Sequence, residues 1–344
     1  MDTSSFDYAL PEARIAQHPI EPRDAARLLV DRGPGSPPDH RRVADLPTLL
    51  GPGDVVVVNT TKVIPARLAL RRPTGGAAEV LLLGPLGAHW EALVRPSRKV
   101  APGTVLQPAE PMPSGPAAGF TVTVGDDLGE GRRIVDVHGV ADVFAALDVI
   151  GAMPLPPYIT EPLEDDSRYQ TVYAKRPASA AAPTAGLHLT IDVLDRLADR
   201  GIPVVELELE VGLGTFRPIA TDLVEDHVMH AERYRVPDAT ADACRAADRV
   251  VAIGTTTVRA LESAAATGAS SGSTDLFIHG DRPFAAVDVL LTNFHQPRSS
   301  LLVLIDAFVG PHWRDLYAEA LAGDYRFLSF GDAMLLTGRG RVRS

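Results

Sequence analysis

The sequence predicts an α/β protein: a larger α/β domain with a mostly parallel sheet, interrupted by an inserted small β-barrel domain. The prediction rests on an unbroken valine run at 55–58, on short apolar runs separated by glycine and proline between 66 and 139, and on strand-turn-helix units that recur after 190. The α/β domain is therefore expected over 1–62 and 150–344, and the barrel over 63–149.

The first diagnostic element is the valine run itself. Val55–Val58 follows the turn Gly51-Pro52-Gly53, and four consecutive β-branched residues predict a strand that is buried on both faces. Asn59-Thr60-Thr61-Lys62 comes directly after it. We expect these polar residues just beyond the end of a central strand.

The middle of the chain predicts strands and turns with almost no helical periodicity. Pro108–Ala118 is rich in proline, alanine and glycine, and we interpret it as an exposed loop of the barrel. The strands are predicted at Ala66–Leu70, Glu79–Leu83, Trp90–Val94, Phe120–Val124 and Ile134–Val137.

The remainder alternates between helix and strand, after a helix predicted at 140–150. Thr190 is a suitable cap for a helix to Arg200, with Gly201 following it. The alternation from Val205 to Val211 predicts a strand with one polar face. Two further units follow the same order: helix 239–249, strand 250–253 and a helix carrying Arg259 and Glu262, then strand 287–291 and helix 300–308.

Composition narrows the class of protein. The chain has 344 residues, of which 45% are hydrophobic and 22% charged, as is usual for a soluble globular protein. Its net charge of −11 argues against nonspecific, charge-driven binding of nucleic acid but allows a local basic patch. Neither a signal peptide nor a membrane span is expected, because no basic segment opens the chain and no long apolar run is present.

The single cysteine, Cys244, excludes an internal disulfide and a cysteine-rich zinc module. We expect a packed thiol in a helix, and a cytoplasmic protein.

Four polar motifs coincide with predicted strand ends, where ligands bind in open α/β sheets. They are Asn59–Lys62, Gly212–Arg217, Gly254–Arg259 and Thr292–His295. Glycine and threonine also serve turns and caps, but four motifs together predict one polar pocket. The pocket does not match a nucleotide-binding motif, because no G-x-x-x-x-G-K-[ST] occurs and Gly212-Leu213-Gly214 lacks a third glycine.

The histidines offer several interpretations. His227 and His230 have a spacing that could place both on one helix face, with Asp226 and Glu232 beside them. General acid–base chemistry fits this group better than a metal site, which lacks a third ligand, although a solvent-exposed pair is the alternative. His188 is either a site residue or a helix-start residue.

Several segments resemble the S-adenosylmethionine:tRNA ribosyltransferase-isomerase family, in order along nearly the whole chain. They include Arg23-Asp24-Ala25, Met153–Tyr158, Tyr169–Tyr173, Pro183–His188, Val211–Pro218, Gly254–Arg259, Thr292–His295 and Gly331–Leu335, together with Phe6-Asp7-Tyr8 and Arg27–Val30.

The resemblance implies an enzyme of queuosine biosynthesis with an inserted small β-barrel. It would transfer and isomerise the ribosyl group of S-adenosylmethionine onto 7-aminomethyl-7-deazaguanine in a tRNA anticodon stem-loop, giving epoxyqueuosine, adenine and methionine. S-adenosylmethionine is then a substrate, and no metal is expected. We expect a monomer.

This chemistry needs a base beside the sulfonium-activated ribose and positioned binding groups. We expect the base to be His188 or His230, oriented by Glu232 or Asp226. The expected substrate-binding residues are Asn59, Lys62, Arg67, Gly186, Gly212, Gly214, Thr215, Arg217, Thr256, Arg259, Asn293 and His295.

The chain departs from the family pattern in several loops. Thr60 stands where the family usually has an acid, and Glu210 where it usually has histidine. These departures keep open a relative that transfers the ribosyl group to a small molecule, and a noncatalytic RNA-binding protein on the same scaffold. For RNA contact the expected surface is on the barrel: Arg67, Arg71, Arg72, Arg95, Arg98 and Lys99.

Overall fold

Strands dominate the middle of the chain and alternate with helices in its last half. The computed structural model describes residues 1–129, 131–212 and 218–340. Their strands are β1 (Arg27–Val30), β2 (Asp39–Arg42), β3 (Asp54–Asn59), β4 (Thr61–Val63), β5 (Arg67–Arg71), β6 (Ala77–Leu86), β7 (His89–Arg95), β8 (Val105–Pro108), β9 (Thr121–Gly129), β10 (Arg132–His138), β11 (Gly151–Ala152), β12 (Arg176–Ser179), β13 (Val204–Leu209), β14 (Glu232–Arg235), β15 (Arg249–Ile253), β16 (Ser271–Thr274), β17 (Val289–Asn293) and β18 (Ala333–Thr337). Their helices are α1 (Leu46–Leu49), α2 (Val143–Ile150), α3 (Ile191–Asp199), α4 (Asp238–Ala246), α5 (Thr255–Thr267), α6 (Ser300–Val309) and α7 (Trp313–Ala322).

The chain divides into two compact units. The first consists of Met1–Thr61, Pro157–Lys175 and Pro183–Ser344, and the second of Lys62–Pro156 and Arg176–Ala182. The second unit thus runs past residue 149, where the sequence places the end of the barrel, and takes in β12.

A mixed sheet is the centre of the first unit. Within the described ranges it has nine strands in the order β16-β14-β13-β3-β15-β17-β18-β1-β2. The central strands β13, β3, β15 and β17 are parallel to one another, whereas β18 is antiparallel to β17 and parallel to β1. All six residues of β3 are buried, as the valine run predicts.

The second unit contains a closed antiparallel barrel. Its strands follow the order β5-β6-β7-β10-β9-β8, and β8 pairs back with β5 to close it. The predicted fold is therefore confirmed: an α/β unit with a parallel sheet centre, interrupted by a small barrel. Strand β8 was not predicted, because it has only four residues and ends in Pro108.

Helix α3 begins and ends where the sequence provides caps. Thr190 Oγ1 accepts a hydrogen bond from the Val193 N–H and caps α3, and Gly201 follows this helix with φ 71°. Both predictions are confirmed, and Cys244 is buried in α4 as expected.

Three predicted boundaries are wrong in ways that affect the site. Thr61–Val63 is a short strand paired with β12, so Asn59–Lys62 is not a simple loop. Thr292 and Asn293 are the last residues of β17, and the threonines after Gly254 form the first turn of α5. Backbone pairing with neighbouring strands, which local sequence does not reveal, extends the strands.

Helices α1 and α3 cover one face of the large sheet with apolar side chains. Buried residues of β1, β3, β15 and β17 pack there in one cluster with Leu46 of α1 and with Val193 and Leu197 of α3. This cluster fixes the strand ends that carry the polar motifs. In the described residues, no helix is both long and apolar enough to cross a membrane.

Candidate active site

Polar residues of several motifs meet at one edge of the large sheet. Because β13, β3, β15 and β17 are parallel, their carboxyl ends lie at the same edge, where β18 and β1 begin. Asn59 and Asn293 end two of these strands, and Gly254 follows a third. The predicted polar pocket therefore has a structural basis at the carboxyl edge.

His188 lies at this edge in a short hydrogen-bonded network. It ends a 3₁₀ turn over Thr184–His188 and is 4% exposed. The Asn293 amide Nδ2 lies 3.0 Å from His188 Nε2, and the Thr184 hydroxyl donates to Asn293 Oδ1 over 2.9 Å. Asn293 thus joins the end of β17 to the turn that carries His188.

The same network indicates the tautomer of His188. Asn293 Nδ2 also lies 3.5 Å from the carbonyl oxygen of Asp332, which can only accept a hydrogen bond. The atom between that carbonyl and His188 is therefore the amide nitrogen, and Nε2 of His188 is the acceptor. In the neutral ring Nδ1 then carries the proton. No described residue accepts a hydrogen bond from Nδ1.

The surroundings of His188 keep it neutral. Burial, together with the positive charges of Arg326 and Arg23, lowers the pKa of His188 to about 4. The ring lines a small pocket together with Ile20, Arg168 and other residues of this edge. The ring is therefore neutral near pH 7, with its proton on Nδ1 and its lone pair on Nε2 engaged by the Asn293 amide.

Arg23 and Gly186 hold the 3₁₀ turn in place. The Arg23 guanidinium donates to the carbonyl oxygens of Gln170 at 2.7 Å and Leu187 at 3.3 Å. A Cβ atom on Gly186 would lie 2.0 Å from the hydroxyl oxygen of Tyr173, so this position requires glycine. Close packing against Tyr173 therefore explains the glycine at position 186, which the sequence predicted to bind substrate.

A second polar cluster joins β14 to α5. Glu232 and Arg259 form an ion pair whose side chains are 4% and 2% exposed. The other carboxylate oxygen of Glu232 accepts a hydrogen bond from the Gly212 N–H over 2.7 Å. Glu232 therefore connects α5 to the backbone that follows β13.

Gly254, whose φ is 89°, connects β15 to α5 and lies beside the turn that carries His188. A Cβ atom placed there would lie 3.5 Å from Cβ of Ala185 and 3.6 Å from Oγ1 of Thr256. The first turn of α5 therefore packs against the turn that carries His188.

Asn59 and His295 are held by their own surroundings. Asn59 Nδ2 donates to the Leu209 carbonyl over 2.9 Å, and Oδ1 accepts from the Leu209 N–H over 3.1 Å, so the side chain fastens β3 to β13. His295 Nε2 lies 2.9 Å from the Thr292 hydroxyl, and burial lowers the pKa of His295 to about 3. Both residues shape the edge of the sheet.

His230 does not lie on a helix, which its spacing from His227 would have allowed, and the exposed alternative describes it better. The segment after a 3₁₀ turn at Val224–Asp226 has no regular structure, and both His230 and Asp226 are exposed. Glu232 faces Arg259 in the buried cluster instead. Spacing alone did not distinguish an irregular exposed segment from a helix.

The remaining predicted residues lie elsewhere. Lys62 and Arg67 belong to the second unit, where an Nη atom of Arg67 is 3.5 Å from a Glu79 carboxylate oxygen. Gly214, Thr215 and Arg217 lie outside the described residues. Among those described, no group of three or more potential ligands could hold a metal ion.

Thr60 and Glu210, the two departures from the family pattern that alter charge, each interact with a neighbouring group. The Thr60 hydroxyl donates to the Leu207 carbonyl over 3.2 Å. Glu210 pairs with Arg233, whose Nε lies 2.8 Å from its carboxylate. The gained acid is thus balanced by a neighbouring cation.

Sequence reasoning did not single out Thr184, Asp332 or Arg23. Asp332 is 2% exposed, and its carboxylate accepts from the backbone N–H groups of Arg27 at 2.9 Å and Arg326 at 2.8 Å. Each of the three lies in a motif that carries the family resemblance, which was the available signal. Their residue types alone indicate turns and caps equally well.

The chain is similar to known proteins over almost its whole length. A family model described as "Queuosine biosynthesis protein" matches residues 3–336. A curated protein of Rubrobacter xylanophilus is 50% identical and covers 99% of both chains, and one of Thermus thermophilus is 48% identical over 96% of this chain and 98% of its own. Both are named S-adenosylmethionine:tRNA ribosyltransferase-isomerase.

A solved structure is similar too. The crystal structure of S-adenosylmethionine tRNA ribosyltransferase from Thermotoga maritima is 35% identical, with a TM-score of 0.54, and covers 96% of this chain and 99% of that one.

Proposed function

The chain belongs to the queuosine biosynthesis protein family, and we propose that it is an enzyme that transfers and isomerises the ribosyl group of S-adenosylmethionine onto a base in tRNA. The acceptor is 7-aminomethyl-7-deazaguanine in the anticodon stem-loop. The products are epoxyqueuosine in the RNA, adenine and methionine. The enzyme works in the cytoplasm as a monomer.

The observation that carries this proposal is that His188, the first turn of α5 and the Glu232–Arg259 pair all lie at the carboxyl edge of one sheet. These residues come from distant motifs, and the reaction needs a proton-transferring group close to substrate-binding cations. Neither altered residue, Thr60 nor Glu210, weakens the proposal, because each is engaged with neighbouring groups.

We assign the proton-transferring role to His188 rather than His230. The sulfonium acidifies the ribose carbon beside it, so that a base can remove a proton there, and adenine leaves more readily when a donor protonates it. In the tautomer that Asn293 fixes, Nδ1–H of His188 can donate to the leaving adenine, and Nε2 can take the ribose proton when substrate displaces the Asn293 amide. His188 is buried at the sheet edge and neutral, whereas His230 is exposed. Asn293 is then a positioning residue, and Thr256 and Arg259 bind substrate.

Exposed cations on the barrel are the proposed contact for tRNA phosphates. Arg71, Arg95, Arg98 and Lys99 are all exposed. Replacing Arg95, Arg98 and Lys99 by glutamine should weaken binding of the stem-loop and lower the salt dependence of its affinity, by roughly one unit of slope per lost contact. Replacing Arg245, an exposed cation of α4, is the matched control.

The test is turnover with defined substrates. The pure, folded protein is incubated with S-adenosylmethionine and a stem-loop that carries the aminomethyl base, and adenine and methionine are quantified. Release should need the aminomethyl base and should fall about 100-fold in His188→Gln, the size of effect that general acid–base catalysis supplies, but not in His230→Gln. Absence of release would reject the enzyme, and release with the free base alone would favour a small-molecule acceptor.

A further inference from the structure

The amino end of α5 carries two buried polar groups that lack a hydrogen-bond partner among the described residues. They are Oγ1 of Thr256, which is 6% exposed, and Nη2 of Arg259, which is 2% exposed. Residues three apart lie on one face of a helix, so both groups face the same side of α5. Buried polar groups are nearly always paired, so these two indicate a missing partner.

The polar groups next to these two on α5 do have hydrogen-bond partners. The hydroxyl of Thr257 donates to the Ile253 carbonyl over 2.7 Å. Arg259 uses its Nη1 atom on Glu232 and its Nε atom on the Leu276 carbonyl at 3.2 Å. Only part of the guanidinium is therefore left for another group.

Gly254 precedes α5 and leaves room for a further atom beside the Thr256 hydroxyl. With no Cβ at this residue, the Thr256 hydroxyl and Ala185 border the position that a side chain would take. The N–H groups of Thr255 and Thr256 belong to the first turn of a 13-residue helix, and such groups have no partner inside the helix. Hydroxyl, guanidinium and backbone donors are thus grouped at one end of α5.

These hydrogen-bond donors favour binding of an anion. The amino end of a helix has a partial positive charge, and a guanidinium adds a full one. A planar carboxylate can accept from two such donors at once. A phosphodiester brings a sugar on either side, which fits poorly where Thr256 and Arg259 are almost wholly buried.

We propose that Thr256 Oγ1, Arg259 Nη2 and the first turn of α5 bind the α-carboxylate of the methionine part of S-adenosylmethionine. The proposal rests on the proposed function, which supplies this substrate. Thr256 is then a residue that selects for an intact amino-acid group on the ribosyl donor.

The experiment compares two ligands by titration calorimetry: S-adenosylmethionine and its decarboxylated form, which lacks only the carboxylate. Thr256→Val should weaken binding of S-adenosylmethionine about 10-fold, the usual effect of a lost charge-assisted hydrogen bond, and leave the affinity for the decarboxylated form unchanged. Thr256→Ser should restore binding because it keeps the hydroxyl.

Thr257→Val is the matched control, since it removes an adjacent buried hydroxyl that is bonded inside the helix, and it should change neither affinity. Equal weakening of both ligands by Thr256→Val, no weakening at all, or weakening of stem-loop binding alone would overturn the proposal. If the unaltered protein binds no S-adenosylmethionine, the proposed function itself fails. If it binds both ligands equally, only the carboxylate site fails.

Discussion

The amide of Asn293 donates to Nε2 of His188 over 3.0 Å, and this contact decides which imidazole nitrogen is available for chemistry. Because Nε2 accepts, the neutral ring presents Nδ1–H. Thr184 holds the amide from its other side, over 2.9 Å. The end of β17 therefore sets the tautomer of a residue more than a hundred positions earlier in the chain.

Asn293→Asp should raise the pKa of His188 from its value of about 4, because a carboxylate at Nε2 stabilises the imidazolium. The pKa is measured by NMR titration of labelled histidine. The resonance of His40, which pairs with Tyr325 in the native protein, is the internal reference, and the substitution should leave it unaltered at each pH. An unchanged His188 titration in the variant would show that residue 293 does not control the ring.

His188 should also make stability depend on pH. Its pKa is about 4 in the folded protein and near 6.5 in an unfolded chain, so the unfolded state binds more protons between these values. The free energy of unfolding should therefore fall as the pH is lowered from about 7.5 to about 4.5, by about 2 to 3 kcal/mol from this residue.

Urea unfolding at the two pH values measures this effect. His188→Gln should have a smaller loss of stability on acidification than the unaltered protein. His230→Gln replaces an exposed histidine and serves as the control. Equal losses in the unaltered protein and in His188→Gln would contradict a strongly lowered pKa.

The fold could be predicted from sequence largely because its signals are local. The valine run of β3, the alternation in β13 and the cap at Thr190 each follow from a few neighbouring residues. The pairing of Glu232 with Arg259 could not be predicted in this way, because it depends on how β14 and α5 meet in space. Sequence proximity instead suggested Glu232 as a partner of His230.

The ion pair between Glu232 and Arg259 should behave as a buried unit. Arg259→Met leaves a buried carboxylate without its cation and should cost about 3 to 5 kcal/mol of stability. The double variant Glu232→Gln/Arg259→Met should recover part of this loss, because no buried charge remains.

A double-mutant cycle by chemical denaturation checks the coupling. The exposed pair Arg245–Asp242, whose side chains are 72% and 68% exposed, is the matched control and should couple by less than about 1 kcal/mol. Additive effects of the Glu232 and Arg259 substitutions would argue against a coupled pair.

Gly186→Ala should disturb the turn that carries His188. The new Cβ atom would lie 2.0 Å from the Tyr173 hydroxyl oxygen and 3.0 Å from Cγ2 of Thr171. The substitution should lower turnover and stability together, and Tyr173→Phe in the same chain should restore part of both by removing the hydroxyl. Gly33→Ala is a useful comparison, because its Cβ would meet no atom within 4 Å, although its φ of 86° adds strain. Full activity of Gly186→Ala would mean that the turn tolerates the displacement.

The mass of the RNA after reaction tests the proposed tRNA modification itself. A stem-loop bearing the aminomethyl base is incubated with the protein and S-adenosylmethionine, digested to nucleosides and examined by mass spectrometry. We predict conversion of the aminomethyl base to epoxyqueuosine, with one adenine and one methionine released for each modified RNA. An unmodified RNA, or adenine released without a change in the RNA, would contradict the assignment of this chain as a ribosyltransferase-isomerase acting on tRNA.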